Sequence, residues 1–387
     1  MDKKRSLFFD SGLIYFVVIA GFVVIRILNG LIKFPTVVGN LMSIIIQVGL
    51  MLVVPFVLYK VLRKKKAKEV LNDFNVKKIN IKAVLFSVGI GIVIYFLNIA
   101  VASFFNIFIN ATGYDPSFGM ASAAEGSYPL VSFLGDIVLT AILPGICEEF
   151  CHRGMLLNGV KQIGMKKSIL LVGLLFGLMH LNIEQVFYAI VIGMFLTFLV
   201  YISGSIIPSM IVHFLNNGIG LYMTFAKYNN LPFGNMSESL GETLSGGGFA
   251  VVGTILLIVI IMLALLAFFT FMLLKQTRVK QFESLAKRAI ENKQRENILK
   301  SFDLNVEEIN KEQGITNISA GDLHVEVTDQ PPLANGRQNI LVDFSFDENS
   351  LMSKNIKKVP LKDKAFIIGT IFIGVFITIS TLIWGIL

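Results

Sequence analysis

The sequence predicts an all-α polytopic membrane protein with about eight core transmembrane helices, a ninth at the C-terminus, and a small cytoplasmic insert of mixed or irregular structure. Three observations lead to this fold class. Hydrophobic residues make up 54% of the 387 residues and charged residues only 16%, against about 45–50% and 25% in soluble domains. Several apolar runs approach or exceed the roughly 20 residues that a helix needs to cross a bilayer. The basic residues, which give a net charge of +8, cluster beside those runs.

The N-terminal region, residues 1–129, is predicted to contain three spans. They cover residues 12–28, 37–58 and 82–109. Basic residues precede the first span at positions 3–5 and follow the second at positions 63–68. Lys and Arg are enriched at the cytoplasmic ends of membrane helices, so both clusters are placed in the cytoplasm. The loop after the third span has Asp115 and Glu125 but no basic residue, and it is placed outside.

Residues 130–226 are predicted to form the core of the protein. Their four spans cover residues 131–160, 168–181, 185–202 and 206–226, and the second is short for a complete crossing. Three of the four histidines of the chain, His152, His180 and His213, fall within these spans. Residues 227–274 are predicted to be an external loop followed by the eighth span.

Residues 275–364 interrupt the apolar pattern, and the basic residues that follow the eighth span place them in the cytoplasm. Residues 276–300 indicate a charged helix. Residues 323–327 and 340–346 alternate like short strands, with turn residues between them. A small folded module is therefore predicted, and a disordered linker is the alternative. Residues 365–387 form the last span, which leaves the C-terminus outside.

The fourth span contains a run of ionisable residues, Glu148, Glu149, His152 and Arg153, with Cys147 and Cys151 among them. An ionisable residue at the centre of a membrane helix costs about 2.5–3.5 kcal/mol on insertion scales. Packing does not require such residues. They usually face a bundle interior or a water-filled cavity and mark a functional site.

Three pairs of side chains on three spans are four residues apart. The pairs are Glu149 with Arg153, Phe176 with His180, and His213 with Asn217. Residues at this spacing project from one face of a helix. Pro144 and Pro208 lie just before the polar groups of their helices, and a proline inside a helix frees a backbone carbonyl. Such irregular backbone is tolerated at membrane depth where it lines a cavity. We therefore expect three helices to converge on one wet cavity.

The side chains on these three spans could act together in one reaction. A carboxylate and a neutral imidazole can hold and deprotonate a water molecule. An asparagine amide and a second imidazole can donate hydrogen bonds to a developing oxyanion. Together they are the parts needed to hydrolyse an amide bond inside a membrane.

The three motifs resemble those of a known family. Glu148-Glu149-x-x-x-Arg153, Phe176-x-x-x-His180 and His213-x-x-x-Asn217 match, in order, the motifs of the CAAX protease and bacteriocin-processing family (CPBP, or Abi) of intramembrane proteases. The resemblance covers about residues 131–226. It implies that Glu148 and His180 activate the water, that His213 and Asn217 form the oxyanion site, and that Glu149 and Arg153 orient the helix, with Phe176 as a supporting residue.

The resemblance establishes no cofactor. The family has been described as metalloproteases, although a metal-free, glutamate-based mechanism fits it better. If a metal is bound, zinc is the candidate, and Glu148, His180 and His213 would be its ligands. The chain has no H-E-x-x-H motif, which weakens the zinc reading.

Other interpretations stay open for single residues. Glu149 and Arg153 fit a structural pair better than direct participants. His152 lies four residues after Glu148 and could be a ligand or proton partner, although that position varies in the family motif. Cys147 or Cys151 could supply a thiolate nucleophile with His180, but apolar surroundings favour buried, unreactive thiols. Asn216 is the alternative to Asn217.

The hypothesis from the sequence is an intramembrane endopeptidase that cleaves a membrane-associated or lipidated peptide near the cytoplasmic half of the bilayer. A catalytically silent scaffold of the same fold is the first alternative, with a cytoplasmic partner bound through residues 275–364. A proton-coupled transporter is the second, since buried Glu and His also form proton relays. No nucleic-acid partner is expected. The N-terminus and the insert are placed in the cytoplasm, and a bacterial cell membrane is the expected location.

Overall fold

The structure of the chain, a computed structural model, describes residues 5–32, 34–114, 128–236, 249–284, 286–287, 290–291, 317–320, 323–330, 339–346 and 358–386. Its helices are α1 (Leu7–Leu31), α2 (Thr36–Arg63), α3 (Ala67–Asp73), α4 (Ile81–Asn110), α5 (Leu130–Ile163), α6 (Met165–Met179), α7 (Ile183–Ser203), α8 (Ile207–Tyr228), α9 (Phe249–Leu274) and α10 (Leu361–Ile386). Its strands are β1 (Asn317–Ala320), β2 (Leu323–Gln330) and β3 (Asn339–Phe346).

Helices of membrane-spanning length dominate the fold. Within the described residues, seven helices are long and apolar enough to cross a bilayer: α1, α2, α4, α5, α7, α9 and α10. The two remaining predicted spans correspond to α6, which has only 15 residues, and α8, which carries the polar side chains of the site. A polytopic all-α membrane protein is therefore confirmed as the fold class.

The insert between α9 and α10 contains a small antiparallel sheet with the strand order β1-β2-β3. The two predicted strands, residues 323–327 and 340–346, lie within β2 and β3. The sequence did not predict β1 or the short helix α3. The helix predicted at residues 276–300 falls partly outside the described residues.

One end of the helix bundle carries basic residues from the start of α1 and the end of α2. Arg63 Nη1, at the end of α2, lies 3.1 Å from Oδ2 of the buried Asp10 near the start of α1, and it also donates to the Arg5 carbonyl at 3.2 Å. A Cβ on Gly159, near the end of α5, would lie 3.2 Å from the Leu7 carbonyl oxygen. We call this end, where α1 begins and α2 and α5 finish, the basic end. The opposite end, where α1 finishes and α5 begins, is the far end.

Helices α6 and α7 form a hairpin whose backbones approach closely at glycines. A Cβ on Gly173 would lie 2.4 Å from Met194 Cγ, and one on Gly177 would lie 2.7 Å from the Val186 carbonyl oxygen. Small residues four apart allow this kind of contact between membrane helices. The hairpin matters for function because His180 caps the end of α6.

Substituting alanine for Gly177 should loosen this hairpin. The new Cβ would overlap Ile190 Cγ1 at 2.3 Å as well as the backbone of Val186, and overpacking of a tight contact costs about 1–3 kcal/mol. We expect a lower midpoint of thermal unfolding in detergent for Gly177→Ala. Gly39→Ala in α2 is the matched control, since nothing lies within 4 Å of its Cβ position. Equal midpoints for the two variants would contradict the prediction.

Candidate active site

Helix α5 is irregular where it carries the predicted site residues. Pro144 lacks a backbone N–H, and wide π-helical turns occur before it at Ile137–Ile142 and after it at Phe150–Leu156. Such turns are frequent at functional sites. The carbonyl of Thr140, four residues before Pro144, accepts a hydrogen bond from Asn217 Nδ2 of α8 at 3.0 Å. The proline thus leaves a carbonyl to which the neighbouring helix is bound.

Gly145 brings the same two helices together. A Cβ at this position would lie 3.2 Å from the backbone nitrogen of Phe214. Because no side chain separates them, α8 can approach α5 closely enough for His213 to reach the two glutamates three and four residues beyond Gly145.

A buried ion pair links three helices around Glu149. Its Oε1 accepts hydrogen bonds from Arg153 Nη1 at 2.8 Å and from His213 Nδ1 at 2.9 Å. Arg153 Nη2 also donates to the Gly193 carbonyl of α7 at 2.9 Å. The side chains of Glu149 and Arg153 are fully buried. This arrangement holds α5, α7 and α8 in one relative position.

The same contacts determine which nitrogen of His213 faces the cavity. The Glu149 carboxylate only accepts hydrogen bonds, so Nδ1 of His213 carries a hydrogen. The other ring nitrogen, Nε2, lies 4.0 Å from Oε2 of Glu148. His213 is therefore bound to one glutamate and directed at the other.

Glu148 has one occupied and one free carboxylate oxygen. Gln47 Nε2 of α2 donates to Oε1 at 2.8 Å, whereas Oε2 has no hydrogen-bond partner among the described residues. The residue is 6% exposed. Its unpaired oxygen is the one directed towards His213.

Phe176 lies at the centre of the site. Its ring has edge contacts with the rings of His152, His180 and His213, at centroid distances of 5.1, 5.3 and 5.5 Å. The Arg153 guanidinium carbon lies 4.3 Å from the ring centroid. An aromatic face attracts a cation, so Phe176 packs against the ion pair and orients the imidazoles. The sequence predicted only a supporting role for it.

One cavity of about 700 Å³ contains all four predicted catalytic side chains. Glu148, His180, His213 and Asn217 line it, together with Phe176 and Gln47. A smaller chamber of about 230 Å³ is also lined by Glu148 and His180. The larger cavity reaches Asn29 and Thr224, which lie near the ends of α1 and α8. It therefore extends from Glu148 towards the far end of the bundle.

Asn217 ends a chain of amides that crosses the cavity wall. Asn98 Nδ2 lies 3.4 Å from Asn216 Oδ1, and Asn216 Nδ2 donates to Asn217 Oδ1 at 3.1 Å. One N–H of Asn217 is used by Thr140, and an amide nitrogen has two. Both Asn216 and Asn217 line the cavity, so the choice between them is not decided by location alone.

Three residues weighed in the sequence lie outside the cavity lining. His152 is fully buried; its Nδ1 donates to the Glu148 carbonyl at 2.7 Å and its Nε2 lies 3.0 Å from the Tyr15 hydroxyl. Both ring nitrogens of His152 are thus occupied by hydrogen bonds inside the protein. Cys147 and Cys151 are buried free thiols and do not line the cavity either.

The predicted zinc ligands do not fit a metal site. Within the described residues, no group of three or more His, Cys, Asp or Glu side chains is placed to hold a metal ion. Glu148 and His213 approach each other only to 4.0 Å, and Nδ1 of His213 is bound to Glu149. A structural or catalytic zinc needs at least three protein ligands around one point.

Gln47 is a site residue that the sequence reading missed. It lies in a π-helical stretch of α2, Ile45–Val53, among apolar residues, and a polar side chain at such depth is the signal that could have identified it. Gln47 belongs to a helix outside the three motifs, so their spacing does not indicate it.

Removing the amide of Gln47 should impair the site without unfolding it. Leucine has a similar size, but it leaves Oε1 of Glu148 without its donor, and an unsatisfied buried partner costs about 1–3 kcal/mol. If that carboxylate reacts, Gln47→Leu should lower kcat about 10- to 100-fold, with little change in KM. Val53→Leu, at an exposed position of the same helix, is the control. A normal kcat for Gln47→Leu would show that Glu148 is held by other groups.

The comparison with known families agrees with this geometry. A family profile described as type II CAAX prenyl endopeptidase Rce1-like matches residues 130–219, which comprise α5 to α7 and half of α8. No curated protein and no solved structure is significantly similar to the chain. The family implies protease activity in general and a membrane-embedded protein that acts on a membrane-associated substrate. Over residues 130–219, the chain is therefore similar to the CAAX protease and bacteriocin-processing family of intramembrane proteases, the family that its three motifs resemble.

Proposed function

We propose that the protein is an intramembrane endopeptidase in which Glu148 activates the attacking water. The observation that carries this proposal is the free Oε2 of Glu148, which faces Nε2 of His213 at 4.0 Å in a cavity shared with His180 and Asn217. Two polar atoms at this separation are too far apart for a direct hydrogen bond, and one water can bridge them.

The proposed reaction begins with the transfer of a water proton to Oε2 of Glu148, assisted by His180. The water oxygen attacks the peptide carbonyl carbon, and the carbonyl oxygen becomes an oxyanion. Glu148 then gives its proton to the amide nitrogen as the carbon–nitrogen bond breaks. The products are a carboxylate and an amine. Glu148 thus acts first as general base and then as general acid.

His213 and Asn217 are proposed to stabilise the oxyanion. Since Nδ1 of His213 donates to Glu149, the ring can donate from Nε2 only as an imidazolium. The Glu149 carboxylate lies against this ring, and Arg153 holds the carboxylate in place. Asn217 contributes its second N–H, since the first is bound to Thr140.

The proposed substrate is a membrane-associated or lipidated peptide. The name of the matched family refers to prenylated CAAX proteins, and a site enclosed by apolar helices suits a substrate that arrives from the bilayer. The proposed orientation places the basic end in the cytoplasm, and the proposed location is a bacterial cell membrane. With this orientation the cavity extends away from the cytoplasm, whereas the sequence hypothesis placed cleavage near the cytoplasmic half.

The substrate can be sought by comparing peptide termini in membranes from cells that carry the wild-type chain or Glu148→Gln. The wild type should produce new termini that Glu148→Gln does not. Glu184→Gln is the matched control, because Glu184 lies in the first turn of α7 and does not line the cavity. Identical termini in all three samples, with cellular function retained by Glu148→Gln, would favour the scaffold alternative over the protease.

A chelator should not abolish the proposed activity. The residues predicted as zinc ligands do not surround a common point, so hydrolysis by purified protein is expected to stay within about twofold of the untreated rate after EDTA treatment and dialysis. If the protein needed a structural or catalytic zinc, removal of the metal would abolish activity, and its return would restore activity. Loss of activity with EDTA and its recovery with Zn²⁺ would overturn the metal-free mechanism.

A further inference from the structure

Arg26 is a cation inside the membrane-spanning part of α1 that the mechanism above does not use. It precedes the end of the helix at Leu31 by five residues and is flanked by apolar side chains. It forms no hydrogen bond or ion pair with any of the described residues. The residue is exposed, and an arginine within a membrane-spanning helix is costly and normally has a partner or a function.

The side chain of Arg26 lies at the reaction site. It lines the large cavity with Glu148, His180 and His213, and it also lines the small chamber. No other arginine or lysine is among the described residues that line either space. Among the described residues, Arg26 therefore supplies the only guanidinium or ammonium group that lines the space where a substrate would bind.

The small chamber has polar side chains around that cation, and Phe22, Ile46, Met51 and Met179 form the apolar part of its lining. Gln47, Asn182 and Gln185 contribute amides, and the volume of about 230 Å³ corresponds to roughly eight water molecules. Glu148 is the carboxylate of the chamber, but it is bound by Gln47 and not paired with Arg26. The guanidinium thus keeps its planar set of donors for a group that enters from outside.

We propose that Arg26 binds a carboxylate of the peptide substrate beside the scissile bond. Guanidinium groups bind carboxylates through two parallel hydrogen bonds, and the polar chamber has room for little more than one side chain or chain terminus. The carboxylate belongs either to the C-terminus or to an acidic side chain of the substrate. This inference rests on the proposed function. It assigns substrate selection to α1, outside the segment that matches the protease family.

The test uses purified full-length protein and a library of N-palmitoylated hexapeptides, prepared both as C-terminal acids and as C-terminal amides. For cleaved sequences, kcat/KM is measured for the acid, for the amide, and for forms with Asp or Glu replaced by Asn or Gln. Each form is assayed with wild type, Arg26→Lys and Arg26→Gln. Size-exclusion profiles and thermal midpoints of the variants confirm that they are folded.

We expect wild type to prefer the peptide that carries the carboxylate by about 10- to 100-fold, the range for a charge-assisted hydrogen bond. Arg26→Gln should lose that preference, while Arg26→Lys should retain part of it. If amidation of the peptide abolishes the wild-type preference, the bound carboxylate is the C-terminus. If exchange of Asp for Asn abolishes it, the bound carboxylate is an acidic side chain. Equal cleavage of charged and neutral peptides by wild type would overturn the inference. An equal slowing of both by Arg26→Gln would also overturn it, since Arg26 would then act on Glu148 or on lipid phosphates.

Binding separates this inference from the proposed function. Fluorescent acid and amide peptides are titrated into Glu148→Gln and into Glu148→Gln/Arg26→Gln. Suppose that the wild type cleaves no peptide, yet the acid form binds more tightly than the amide form only when Arg26 is present. The subsite then stands and the protease proposal fails. If cleavage depends on Glu148 but binding shows no preference for the acid, the subsite fails and the protease proposal stands.

Discussion

Replacing Glu148 with glutamine is expected to lower kcat for peptide hydrolysis by about 10²- to 10⁴-fold, the usual contribution of a general acid–base group. Glutamine has the same shape, and its carbonyl oxygen can still accept the hydrogen bond from Gln47. It cannot take the proton of the attacking water. The loss should therefore appear in kcat, with KM and the thermal midpoint close to those of the wild type.

The measurement is single-turnover cleavage by purified protein in detergent, beside the control Glu184→Gln, which makes the same chemical change outside the cavity lining. Glu184→Gln is expected to stay within about threefold of the wild-type rate, since Glu184 does not line the cavity. If Glu148→Gln cleaved at the rate of this control, another group would have to be the base.

Replacing Arg153 with methionine should have the largest effect on stability. Arg153 and Glu149 are fully buried and 2.8 Å apart, and breaking a buried pair by removing one partner costs about 3–5 kcal/mol, because the other charge is left uncompensated. The variant also loses the guanidinium that packs on Phe176. We expect a clearly lower free energy of unfolding, measured by chemical denaturation in detergent.

A double variant separates the structural role of this pair from its role in the site. Exchanging both members of a buried ion pair for apolar residues is often neutral for stability, so Glu149→Leu/Arg153→Met should recover most of what Arg153→Met loses. Activity should not recover, because His213 Nδ1 would have no acceptor and its ring would lose its orientation. An Arg153→Met variant as stable as the wild type would show that the pair contributes little to the fold.

The motif residues themselves were predictable because their spacing is a local property of a helix. Side chains four residues apart share a face, and this placed Glu149 with Arg153 and His213 with Asn217. The same spacing left His152 open as a possible partner of Glu148, and the structure places it outside the cavity lining. The His152 ring instead bonds to the Glu148 carbonyl and the Tyr15 hydroxyl, which keeps it away from the cavity.

Contacts between distant parts of the chain were not predictable from spacing. Gln47 and Glu148 are separated by 101 positions in the sequence, and Arg26 lies still further from Glu148 in the chain. Nothing in the apolar pattern of α1 or α2 indicates which side of those helices faces the site. Polar residues in these spans were visible in the sequence, but their partners follow only from how the helices pack.

The sequence by itself determined that this chain lies in a membrane, how its main helices are bounded, and which three segments carry reactive groups. Each of these properties depends on hydrophobicity and periodicity within a single segment. Only the tertiary structure decided that Glu148 keeps one free oxygen, that His213 turns Nε2 towards it, and that Gln47 and Arg26 join the cavity. Those features depend on distances between helices, which packing and hydrogen bonds between remote residues determine.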